Sequence, residues 1–130
     1  MTETKRDIDL NVVKTFDYMD FEFSPMDISY TTKENGEALC TCVYAYENGI
    51  CMIKYLASKD GEDRREFERL TLMAVLNEAD LGGVLKSVSF NDDLFPLLKS
   101  CLFKEDVLDS KRAMCLELEG YFDCGDLEKI

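Results

Sequence analysis

The sequence predicts a mixed α/β domain, a mostly antiparallel sheet with a central parallel β-α-β unit. Three observations predict it. Asn35-Gly36 and Asn48-Gly49 separate three runs rich in Val, Ile, Tyr and Thr, and Asn-Gly suits two-residue hairpins because type I′ turns need positive φ at both central residues. The period then changes: Arg64 to Asp80 contains no Gly or Pro, and apolar residues recur three and four apart. A short apolar run after this helix completes a strand–helix–strand crossover, which is parallel and right-handed.

Taken in order, Leu10 to Phe23 mixes Val12, Val13, Phe16, Tyr18, Phe21 and Phe23 with acids and carries no clear period. Ser24-Pro25 ends it, since proline disfavours helix in the residue before it. Ile28–Lys33, Leu39–Glu47 and Ile50–Ala57 are the three strands of an antiparallel meander. On the helix, Phe67, Leu70, Met73, Ala74, Asn77 and Leu81 form one face, which Leu72, Val75, Leu76 and Ala79 widen, so it packs deeply against a sheet. Asp63, with Glu66 three residues on, is placed to cap its start, and Gly82-Gly83 to stop it.

Val84–Phe90 is the next strand, and a second helix runs from Asp92 or Asp93 to about Leu102, with Pro96 in its first turn. Arg112–Phe122 closes the sheet as a long alternating strand. The predicted shared core holds Phe67, Leu70, Ala74, Val88, Phe90, Leu116 and Leu118.

Composition bounds the function. One domain spanning residues 1–130 suits the length. Fifteen Lys and Arg against 27 Asp and Glu give a formal charge of −12, which opposes nucleic-acid binding through phosphates. The absence of His removes triad chemistry and the usual neutral-pH base. No run nears the ~20 apolar residues of a membrane span, and the polar start MTETKRDIDL lacks a signal core. A cytoplasmic protein is expected, with no membrane and no metal. Cys40, Cys42, Cys51, Cys101, Cys115 and Cys124 include no C-x-x-C pair, and they read as buried reduced thiols.

The element order resembles the GNAT acyl-CoA N-acyltransferase superfamily over about Ile28 to Phe122. Three stretches carry the likeness: Asn35-Gly36-Glu37-Ala38-Leu39-Cys40, the run from Ile50–Ala57 through the helix to Val84–Phe90, and the segment Asn91 to Phe103. The resemblance implies acyl transfer from acetyl-CoA or another acyl-CoA to a primary amine. Pantetheine would enter beside Leu56 and Ala57, the pyrophosphate would meet the helix start at Arg64, Arg65, Phe67 and Arg69, and Asn91 would begin the following segment. The family also places a strand and two helices before its first hairpin. About twenty-seven residues precede Ile28, so the N-terminal region is shortened.

The chemical positions depart from the pattern. Phe67 and Arg69 replace two small residues that let backbone N–H groups close on phosphate. Asp60, Glu62, Asp63, Glu66 and Glu68 crowd the same helix end, and each carboxylate there stabilises the helix by about 0.3–1 kcal/mol through the interaction a phosphate would use. Leu98 stands where the family has its general-acid Tyr, and Leu102 where it has Gly. Tyr44, Tyr46 and Tyr55 are the candidate substitutes, with packing their ordinary role. Two readings stand: an acyltransferase, and a GNAT-fold binding or regulatory module without catalysis. The acidic surface suits a cationic small molecule or a basic protein, and a homodimer is a further candidate.

Overall fold

The two Asn-Gly turns fold as their sequence demands. Asn35 and Gly36 adopt φ of 52° and 87°, and Asn48 and Gly49 adopt 53° and 76°, joining β2 (Ile28–Glu34), β3 (Glu37–Glu47) and β4 (Ile50–Ser58) into an antiparallel meander. The computed structural model describes residues 1–122; Cys124 lies outside them. A further strand, β1 (Thr2–Arg6), pairs antiparallel with β2, placing Thr4 opposite Thr32. Between them stands α1 (Leu10–Val13), a single turn capped by the Asp9 carboxylate accepting from the Asn11 N–H.

After β4 the chain crosses through α2 (Arg64–Leu81) to β5 (Lys86–Ser89). Strands β4 and β5 run parallel over Ile50↔Lys86, Cys51↔Ser87 and Met52↔Val88. A 3-10 turn (Asp92–Leu94) leads into α3 (Phe95–Ser100), with Pro96 at its start, followed by the hairpin β6 (Lys104–Leu108) and β7 (Lys111–Glu117). The sheet order is β1-β2-β3-β4-β5-β7-β6, with one parallel pair in an otherwise antiparallel sheet.

The core lies on one face of the sheet. Cys40, Cys42, Tyr44, Ile53 and Leu56 pack there against Leu72, Val75, Leu76 and Ala79 of α2, Leu97 and Leu98 of α3, and Met114, Leu116 and Leu118. Cys40, Cys42, Cys51 and Cys101 are buried, and Cys115 is half-buried. Burial pushes the Cys40 and Cys51 thiols up to about 12 and keeps the Cys42 thiol protonated as well.

Four expectations change. The helix α2 is rotated from its expected phase: Leu70 is 42% exposed and Ala74 half-buried, while Thr71, Leu72, Val75, Leu76 and Ala79 face inward. The cause is polar. Thr71 meets Thr32 at 2.6 Å, Glu68 accepts from Ser58 at 2.8 Å, and Glu78 accepts from Tyr44 and Tyr46, so the inner face contains residues that hydropathy assigns to water. Phe67 packs half-buried at the margin of the core, Val88 is buried outside that cluster, and Phe90, just past β5, is 39% exposed.

Asp63 makes no side-chain cap; its carbonyl accepts the Phe67 N–H instead. The final strand ends at Glu117, because Leu118 N–H turns to Leu85 and Tyr121 N–H bonds back to Leu118. Its partner β6 is charged and exposed along most of its length. The Asp109-Ser110 turn before β7 takes positive φ, 50° and 66°, without a glycine to announce it.

Candidate functional site

The parallel pair that defines the crossover does not stay together. Ladder pairing between β4 and β5 ends at Met52↔Val88, while β4 continues to Ser58. Between Val43 and Tyr44 the β3–β4 register shifts, and Lys54 is the extra residue in β4; such a bulge bends its strand and sharpens the twist. Side chains brace the end of the ladder and reach past it. Ser87 Oγ donates to the Cys51 carbonyl at 2.9 Å, Ser89 Oγ to Ile53 at 2.8 Å, and Asn91 Nδ2 to Lys54 at 3.1 Å. Asn91 Oδ1 also accepts from the Asp93 N–H, starting the 3-10 turn. Asn91 thus fixes where the two strands part.

Beside this parting, a cleft of about 570 Å3 opens between the end of β4, the start of α2 and the start of α3. Leu56, Arg64 and Arg65 line it, joined by Gly61, Glu62, Glu68, Asp93, Leu94, Pro96 and Leu97. Ala57, Phe67, Arg69 and Asn91 are not among its lining residues. Ala57 pairs with Thr41 in the sheet, Phe67 turns to the core margin, and the charge of Arg69 bears on Tyr121. The wall at the start of α3 comes from residues 25 to 41 positions away, and nothing local in the sequence marks it.

The cleft holds its cations tightly. Arg64 donates to Ser58 Oγ at 2.8 Å and to Asp60 at 2.7 Å, and lies 3.5 Å from Glu68; Arg65 reaches the same Glu68 at 4.0 Å. Two arginines therefore face three carboxylates, Glu62, Glu68 and Asp93. The α2 N-terminus has no side-chain cap, a feature that favours an anion, but the surrounding acids oppose one. For a CoA-type cofactor the fit is divided: the parted strands leave backbone for a pantetheine arm, and the pyrophosphate end is repulsive.

Leu98 is fully buried in the core. Among the described residues no tyrosine lines the cleft. Tyr44 and Tyr46 donate to Glu78 at 2.5 and 2.6 Å on the helix side of the sheet, and burial with that carboxylate drives both phenols far above their usual range. Tyr55 stacks on Phe21 and accepts from the Asp20 N–H.

Asp27 and Lys54 form a site that no local sequence signal marks. Lys54 Nζ donates to Asp27 at 2.7 Å, and the Asp27 side chain, 1% exposed, also accepts the Ser24 N–H at 2.8 Å. The turn at Ser24-Pro25 sets up this buried acceptor, and only the bulge at Lys54 brings the amine to it. The pair clamps the bulge from the N-terminal segment.

No family model and no curated protein matches the chain. Solved structures do. The chain is similar to the ribosomal-protein-S18-alanine N-acetyltransferase of Escherichia coli, at 13% identity and a TM-score of 0.70 over 91% of this chain and 94% of that one. A putative acyl-CoA N-acyltransferase of Klebsiella pneumoniae aligns at 10% identity and a TM-score of 0.67, over 91% and 98% of the two chains. The PaiA N-acetyltransferase of Thermoplasma acidophilum, solved with coenzyme A, aligns at 12% identity and 0.60 over 70% and 60%. With its parted parallel pair, bulged fourth strand and crossover helix, this chain has the fold of the GNAT acyl-CoA N-acyltransferases.

Proposed function

We propose that this chain is a GNAT-fold binding module in which acyl transfer has been lost. One observation carries the reading. Among the described residues, the cleft beside the parted strands presents three carboxylates and two ion-paired arginines, and no Tyr, Ser, Cys or Lys. A departing thiolate needs a proton within hydrogen-bond reach, and the arginines there do not give theirs up. A pyrophosphate would have to displace Glu68 and Asp60 from Arg64. The ligand that fits the charge is cationic, a small polyamine or a basic protein segment, met in the cytoplasm.

The second reading, an acyl-CoA-dependent N-acyltransferase, is favoured by the uncapped α2 N-terminus and the open strand edge. Calorimetric titration with spermidine, CoA and acetyl-CoA separates the two. Spermidine should bind, CoA should show no heat at roughly millimolar concentration, and acetyl transfer to polyamines and lysine peptides should be absent. Micromolar CoA binding with turnover near the ~10 s⁻¹ common to enzymes would establish the second reading.

A further inference from the structure

Five clefts among the described residues differ in one respect. Four carry neutral or net negative linings. The fifth, about 560 Å3 between α3 and the β6–β7 hairpin, is lined by Lys99, Lys104 and Arg112 with Glu105 as its one carboxylate. A net positive cleft in a chain of charge −12 runs against the field of the whole molecule.

Its floor is apolar: Phe95, Phe103 and Met114, each at most 8% exposed, with Pro96 at the edge towards the first cleft. The cations are not alike. Arg112 is held by Glu105 and lies over the Phe95 ring at 5.4 Å. Lys99 and Lys104 form no ion pair among the described residues. Two unneutralised ammonium groups above an aromatic floor match one ligand chemistry, an anionic head joined to an apolar tail.

We propose that this cleft binds an amphipathic carboxylate, its head between Lys99 and Lys104 and its chain over Phe95, Phe103 and Met114. The volume lies within the range of small-molecule sites, which combine apolar walls with a few placed polar groups. Charge sets the orientation and the choice of head group; the buried chain supplies the affinity. The inference is independent of the function proposed above, because it uses no residue of the first cleft except Pro96.

The test is calorimetric titration of the full chain with sodium octanoate, octylammonium chloride and acetate. Octanoate should bind with a dissociation constant below about 1 mM, the other two at least about tenfold more weakly. K99E and K104E, both at exposed positions, should each weaken octanoate about tenfold with unchanged thermal midpoints. Excess CoA should leave octanoate binding as it was. Displacement of octanoate by octylammonium or by CoA, undiminished binding by both variants, or no heat at roughly 10 mM octanoate would each overturn the proposal.

Discussion

Glu68 and Glu78 lie on the same helix, both turned toward the sheet, and are held by opposite chemistries. Glu78 is gripped mainly by neutral donors: Tyr44 and Tyr46 at 2.5 and 2.6 Å and Tyr30 at 3.4 Å, with Arg6 at 3.4 Å from the exposed side. Glu68 is gripped by charge, with Arg64 and Arg65 on one side and the Ser58 hydroxyl on the other. The first arrangement ties three strands to α2. The second neutralises the two cations that border the cleft. One end of the helix is therefore part of the framework, and the other borders the cleft.

Leu76 sets the scale for the packing both ends share. It is fully buried, so Leu76→Ala should cost about 2–5 kcal/mol in urea unfolding. Leu70→Ala, on the outer face, should cost much less; equal costs would show that the helix phase is wrong.

The Glu78 end comes next. Glu78→Leu should cost about 2–4 kcal/mol, because buried phenol groups lose a charged acceptor. This end also sets an alkaline limit. In the folded chain the Tyr44 and Tyr46 phenols are raised from 10, so the native state holds protons that the unfolded chain releases above that pH. Stability from these groups is complete below pH 10 and falls above it, by about 1.4 kcal/mol per pH unit for each phenol. Unfolding midpoints measured at pH 9 and pH 11 check the sign, and a flat profile would contradict the phenol–carboxylate contacts.

At the Glu68 end the expected effect is on binding. Glu68→Gln frees Arg64 and Arg65 from their common acid and should give a measurable heat with CoA at roughly millimolar concentration, where the unsubstituted chain gives none, with little change in unfolding. An equal loss of stability at Glu68 and Glu78 would erase the distinction between the two ends. The smallest effect belongs to Asp63. Its side chain makes no cap, so Asp63→Ala should change stability by under about 0.5 kcal/mol, against the ~1 kcal/mol usual for a capping residue.

Much of the framework was legible because its signals are local. Asn35-Gly36 and Asn48-Gly49 fix their hairpins through backbone sterics within two residues, and Gly82-Gly83 stops α2 within two more. The edge strands were not legible. Thr2–Arg6 and Lys104–Leu108 are polar or charged and bury little, so hydropathy has no period to report there. Of the residues expected at the cofactor site, Leu56, Arg64 and Arg65 do line one cleft, while Asp93, Pro96 and Leu97 reach it only through the fold.

The sequence by itself determined the strand meander and the crossover helix, since turn sterics and helical spacing need no distant partner. Tertiary structure alone decided which side of α2 faces the sheet, where β4 and β5 part, and which acids hold the arginines. Those outcomes depend on pairings such as Thr32 with Thr71 and Glu78 with Tyr44. A polar side chain goes inward only when a partner from another element is waiting for it.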